Sequence, residues 1–259
     1  MRMMKKVLGT VTVLALSVSL LAGCGSTAVS PVSSTASTAA ESTTSSVVSE
    51  TTSAAADENA AAAAQLLNDL TGSYQELWPV ILADEYQQTW LDDCTALVGE
   101  ENAEAAFEKL SSMVTSDVYG EDAVEAYANG GGAYFCGFTN SLATLTFDGE
   151  TSTISGTDKD GNVLFSHTYH YIGMEPVHGL YEFESDDADS GEFTYFFLAP
   201  DTSAETYHIE FRYGSDADAL SQYDAGDYAY WVASGISTDC DQTMIDNCIE
   251  LFCTENLAG

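Results

Sequence analysis

Leu142-Ala143-Thr144-Leu145-Thr146-Phe147-Asp148-Gly149-Glu150-Thr151-Ser152-Thr153-Ile154-Ser155-Gly156-Thr157-Asp158-Lys159-Asp160-Gly161-Asn162-Val163-Leu164-Phe165 decides the fold. Short runs rich in Thr, Ile, Leu and Phe are separated by Asp148-Gly149 and Asp160-Gly161. Both residues of an Asp-Gly pair accept the positive φ that a tight hairpin turn requires, so each pair predicts two antiparallel strands joined in sequence. The same texture extends on both sides. Strands are expected over Ala133–Phe138, Leu142–Phe147, Thr151–Thr157, Val163–Ile172, Gly179–Glu184, Glu192–Leu198 and Tyr207–Tyr213. Seven short antiparallel strands in succession predict a closed or nearly closed barrel, because closure removes unpaired sheet edges.

Upstream of Gly130-Gly131-Gly132 the pattern changes to helix. Ala60–Leu70 is alanine-rich, and Ala83–Leu97 and Ala103–Val114 carry few β-branched residues. In the last of these, Ala106, Phe107, Leu110, Met113 and Val114 recur at spacings of three and four, the period of one helix face. Gln242–Phe252 reads as a final amphipathic helix. The expected architecture is therefore mostly β with helices: an antiparallel barrel preceded by helices and closed by a C-terminal helix.

The N-terminal 58 residues read differently. Arg2, Lys5 and Lys6 precede an apolar stretch from Val7 to Ala22, the pattern of a secretory signal and too short for a confident membrane span. Leu21-Ala22-Gly23-Cys24 resembles a bacterial lipobox, which implies cleavage before Cys24 and lipidation of its thiol; the competing account is a small-residue cleavage site without lipid. Residues 25–58 are Ser, Thr, Ala and Val with scattered Glu and no aromatic residue, and they lack the apolar surface to offset the entropy of ordering. The expected organisation is a signal over 1–23, a lipidated Cys24 with a stalk to residue 58, and one domain over 59–259. The location implied is extracytoplasmic, with the membrane touched through the lipid anchor alone.

Six Lys and Arg stand against 41 Asp and Glu in 259 residues, a formal net charge of −35. With the signal removed, three basic residues face all 41 acids, a net of −38. This balance excludes a nucleic-acid binder, since each phosphate contact needs a cation. With 45% hydrophobic and 11% aromatic residues the chain still has material for a core.

Two motifs at opposite ends of the folded region carry a family resemblance. Leu70-Thr71-Gly72-Ser73-Tyr74-Gln75-Glu76-Leu77-Trp78-Pro79 resembles the opening of the ZinT-type zinc-binding domain, a lipocalin-like or calycin-like barrel. His208-Ile209-Glu210-Phe211-Arg212-Tyr213-Gly214-Ser215-Asp216 is similar to that family's His-x-His strand, and Tyr228-Ala229-Tyr230-Trp231 and a helix follow it. The resemblance implies a divalent metal ion, usually zinc, held by three histidines at one barrel mouth. It implies as partner a zinc ABC importer or its solute-binding protein. Here His208 keeps the first position, Glu210 replaces the second histidine, and the upstream ligand position falls near Phe196, which cannot coordinate. Residues i and i+2 of a strand share a face, so His208 and Glu210 point the same way. A carboxylate can replace imidazole on zinc, while harder oxygen ligands favour other divalent ions.

His167 and His170 are the candidates for a replacement third ligand; three apart, they face opposite sides of a regular strand, and only one looks into the barrel. They and His178 are equally well read as ordinary half-buried strand residues. Asp186-Asp187-Ala188-Asp189, with Glu182, Glu184 and Glu192 nearby, lacks an EF-hand pattern and reads as a solvated loop. Phe196, Phe197, Tyr207 and Tyr213 are expected to wall a ligand cavity or to be core. Cys94, Cys136, Cys240, Cys248 and Cys253 are odd in number, and spacing assigns no disulfide among them. No nucleophile elbow, His-Glu-x-x-His or phosphate-cradling loop is present, so the expectation is not an enzyme. The expected function is an extracytoplasmic lipoprotein that binds zinc, or another divalent cation, for buffering or delivery to an uptake system. The alternative is a non-metal interaction module on the same barrel.

Overall fold

A computed structural model of the chain describes residues 58–199 and 208–258. The signal, Cys24 and all but the end of the stalk lie outside the described residues, as does Tyr207. The element order is helix α1 (58–69), β1 (Gly72–Glu76), α2 (Trp78–Ile81), α3 (Gln87–Val98), α4 (Ala103–Ser112), α5 (Glu121–Ala128) and β2 (Thr144–Asp148). It continues with β3 (Thr153–Thr157), β4 (Val163–Met174), β5 (Tyr181–Ser185), β6 (Tyr195–Leu198), β7 (His208–Gly214), α6 (Ala217–Leu220), β8 (Ala233–Ser237) and α7 (Gln242–Leu257). The strands form one closed antiparallel barrel in sequence order, β8 pairing back onto β1. The lipocalin-like barrel with helices at both ends is thus the observed fold.

Both Asp-Gly hairpins are present, joining β2 to β3 and β3 to β4. In the second, the Asp158 carboxylate accepts from the backbone N–H of Asp160 and Asn162 and from the Asn162 side chain, at 2.8–2.9 Å. These bonds to its charged form hold its carboxyl below the ordinary carboxylate value. Two barrel strands were not expected from the sequence. β1 is polar (Gly-Ser-Tyr-Gln-Glu) and β8 is small (Ala-Ser-Gly-Ile-Ser), and both become strands because each finds a ladder partner on both sides. The expected strand Ala133–Phe138 does not form. Its Phe135 makes only isolated bridges to Thr115 and Trp231. Tyr134, Phe135 and Cys136 bond to the backbone of Met113, Ser116, Tyr230, Val232 and Ser234, while Phe138 N–H donates to the Glu76 carboxylate at 2.6 Å and Gly137 C=O accepts from the Trp231 indole at 2.9 Å, so the segment's backbone groups are divided among several partners rather than one ladder.

The barrel interior is solid. Phe165 and Tyr169 of β4 lie 5.9 and 5.4 Å, ring centre to ring centre, from Phe196 of β6, spanning the intervening β5 across the lumen. Phe196 in turn packs on Tyr213 at 5.4 Å and on Phe211 at 6.3 Å, and Phe165 stacks on Phe193 at 3.9 Å. All of these rings except the half-buried Phe193 are buried. Gly156 makes room for them: a Cβ there would run into Leu142 and the Phe165 ring. Tyr213 anchors one end, its hydroxyl accepting from Thr139 N–H at 2.6 Å and donating to Thr139 C=O at 2.9 Å. Of the aromatics expected either to wall a cavity or to be core, Phe196, Phe197 and Tyr213 are core.

A second core lies outside the wall. Leu77, Trp78, Ile81, Trp90, Leu110, Ile245 and Ile249 bury one face of the helices against Ile236 of β8. The α7 helix starts where the Asp241 carboxylate accepts from Met244 N–H at 3.0 Å, satisfying an otherwise orphan helix donor.

Phe196 has no exposed surface and packs against four rings, Phe165 and Tyr169 of β4 and Phe211 and Tyr213 of the adjacent β7. Phe196→Ala is expected to destabilise the domain by about 3–5 kcal/mol through lost transfer energy and a residual cavity. Urea denaturation with an unchanged m-value reads this; a loss below about 1 kcal/mol would mean that the lumen is not a packed core.

Candidate functional site

The strand register fixes where each candidate ligand points. On β7, Ile209 and Phe211 pair with Gly235 and Ala233 on the inner face, whereas His208 and Glu210 pair with Ile236 and Ser234 on the outer face. The strand neighbours His208 and Glu210 therefore share a face, and that face looks toward the helical layer rather than into the lumen. Both are half-buried. Phe196, at the family's upstream ligand position, is inside the wall with no exposed surface.

His167 and His170 divide as their spacing requires. His167 pairs with Ile154, a core residue, and lies on the inner side with its ring 5.9 Å from Phe165. His170 pairs with Glu184 on the outer face. The acidic run after β5 is exposed, as expected, and two of its aspartates also bond histidines of β4. Asp187 Oδ2 is 2.8 Å from His167 Nδ1, and Asp186 Oδ1 is 2.8 Å from His170 Nδ1. Adjacent aspartates thus grip histidines on opposite sides of the same strand. A carboxylate brings no proton, so each Nδ1 carries the hydrogen of these bonds. His170 Nε2 faces the Glu184 carboxylate at 4.0 Å, and Tyr195 donates its hydroxyl to the other Glu184 oxygen at 3.2 Å. His178 lies apart from these: its backbone N–H donates to the buried Glu175 carboxylate at 2.6 Å and its ring packs edge-on against Tyr223 at 4.1 Å.

The structure therefore makes two separate groupings. His208 and Glu210 sit on β7, and His167 and His170 sit on β4 with Glu184, Asp186 and Asp187; β5 and β6 lie between. Among the described residues no group of three or more His, Cys, Asp or Glu side chains is arranged to hold a metal ion. The role of Asp186 and Asp187 was hidden in the sequence because it depends on the β4–β5 register, which brings residues 16 and 20 positions apart into contact.

Thiols adjoin the β7 pair. Cys136 and Cys248 are buried, and the negative charge of Glu210 acts on both. Burial, reinforced by Glu210, pushes the Cys136 thiol up, and it pushes Cys248 up to about 12 from 9.0.

No family model matches the chain, and no curated protein does. Among solved structures, the chain is similar to the Zn(II)-bound ZinT-like domain of Streptococcus pneumoniae AdcA, with 14% identity and a TM-score of 0.45, over 71% of this chain and 89% of that one. It is similar also to Zn(II)-bound AdcA from Streptococcus pneumoniae, with 14% identity and a TM-score of 0.42, over 72% of this chain and 35% of that one. The chain thus spans about a third of that longer protein.

The buried hydroxyl and thiol groups give the fold an alkaline limit. Burial raises Tyr74 to about 12 from 10.0 as well as Cys248 to about 12 from 9.0. Between the two values of each group the unfolded chain has released a proton that the folded chain retains. This contribution is therefore complete below about pH 9 and lost as pH rises toward about 12. The urea midpoint is expected to fall steadily above about pH 9; a midpoint flat to pH 11 would contradict the burial of these groups.

Proposed function

We propose that the protein is an extracytoplasmic lipoprotein domain that binds a divalent cation, zinc, for buffering or for delivery to an uptake system such as a zinc ABC importer or its solute-binding protein. The observation that carries the reading is the orientation of His170. Asp186 accepts its Nδ1–H, the arrangement that aims an imidazole at a metal, and its Nε2 faces Glu184 Oε2 at 4.0 Å. Nitrogen and oxygen donors bound to one tetrahedral zinc stand about 3.4 Å apart, given bonds of about 2.0–2.2 Å. A small rotation of two half-exposed side chains closes that difference. The donors His170 and Glu184 with water as the remaining ligands make an open, exchangeable site, suited to buffering rather than to permanent structural binding.

Calorimetric titration of zinc into the unlipidated chain tests this. The wild type is expected to bind, and His170→Ala and Glu184→Gln are each expected to weaken binding at least about tenfold. Asp186→Asn should weaken it less, and His208→Ala should leave it unchanged. Loss confined to His208→Ala would move the site to the β7 pair. No binding by the wild type would end the cation reading in favour of a non-metal interaction module. Lipid anchoring has its own measurement: incorporation of labelled fatty acid, expected in the wild type and absent in Cys24→Ala.

A further inference from the structure

Helices α3 and α7 meet along a seam that the cation reading does not use. Trp90 of α3 packs edge-on against Phe252 of α7 at 5.8 Å, and Thr89 donates its hydroxyl to Asp246 at 3.5 Å. Within the seam, Cys94 Sγ lies 3.9 Å from Cys253 Sγ, and neither residue has exposed surface. No other two sulfurs among the described residues are in such contact. Cys240 is half-buried just before α7, and Cys136 and Cys248 adjoin Glu210. We propose that Cys94 and Cys253 form a disulfide that staples α3 to α7, linking the helical insertion between β1 and β2 to the helix that follows β8.

The geometry needs little change. The sulfurs stand 3.9 Å apart and a disulfide bond is about 2.05 Å long, so they approach by about 1.9 Å on oxidation. The chemistry needs an oxidant that itself carries a disulfide, either an exported thiol oxidoreductase or oxidised glutathione. One cysteine thiolate attacks it, forming a mixed disulfide and expelling one oxidant thiolate. The second cysteine thiolate then displaces the remaining oxidant sulfur. Two electrons pass to the oxidant, and the two cysteine protons go to its two leaving thiolates.

The seam also dictates when the bond forms. Desolvation raises both thiols in the folded chain, so the attacking thiolate is scarce once α7 has docked on α3. Oxidation therefore accompanies folding, and the finished bond is shielded from reductants. Its partners are 159 positions apart, so the link restricts a long stretch of the unfolded chain, where a disulfide gains most. The proposal rests on the exported location for its oxidant in the cell, but not for its test.

The test uses Cys24→Ala chain, denatured, reduced and refolded with oxidised and reduced glutathione. Non-reducing digestion and mass spectrometry are expected to give one linked peptide pair containing Cys94 and Cys253. Denatured protein should titrate three free thiols rather than five. The oxidised form should melt about 5–10 °C above the reduced form, a difference that vanishes in Cys94→Ser and Cys253→Ser. Oxidation of already folded, reduced protein should be slower than oxidation during refolding. Five free thiols after oxidative refolding, or a linked pair containing Cys136, Cys240 or Cys248, would overturn the proposal. If the serine variants do not fold, the wild-type peptide map decides alone. The zinc titration reads the opposite, β4–β5 part of the wall, so its failure and this one are separate results.

Discussion

The structure depends on aromatic rings meeting across the barrel lumen. Phe165, Phe196, Phe211 and Tyr213 come from three strands and share one interior, with Phe193 stacked on its edge. Their burial removes a large apolar area from water, and their mutual contacts fix the registers of the strands that carry them. Once these side chains are inside, the period of two sends every alternate residue outward. The positions of His170, His208 and Glu210 on the outer wall are consequences of that packing, not independent features.

The outer wall is then divided between neighbours. Around β8 and β7 it is covered by the helical layer, where Ile236 joins Trp78, Ile245 and Ile249 and where buried thiols feel Glu210. Around β4 and β5 it stays open, and polar groups there can meet solvent and ions. Charge alone does not select between these regions, because acids are spread over the whole chain. The difference lies in what covers each face: the β7 pair abuts helix and thiol, whereas His170 and Glu184 are open to water.

Much of the fold was legible in the residues. Asp148-Gly149 and Asp160-Gly161 specify turns locally, so the hairpins around them follow from nearest neighbours. The helices from 58 to 112 and from Gln242 onward follow from composition and period. The closing strands β1 and β8 were not legible, because a polar strand and a small-residue strand declare themselves only through partners on either side. The expected strand at Ala133–Phe138 failed for the converse reason: partners distant in sequence, among them Met113, Tyr230, Ser234 and the Glu76 and Trp231 side chains, divide its backbone groups. The candidate site was half legible. That His167 and His170 face opposite ways follows from counting; that Asp186 and Asp187 each take one of them does not.

The sequence by itself determined the class of the domain, its acidic character and the shared face of His208 and Glu210. Each of these follows from composition, turn chemistry or strand period, which are local properties. Only the tertiary structure decided that the shared face looks outward, that the lumen is filled, that His170 faces Glu184, and that Cys94 meets Cys253. Those are pairings between residues far apart along the chain, and they are set by which apolar side chains reach the interior together, a condition that no short stretch of sequence contains.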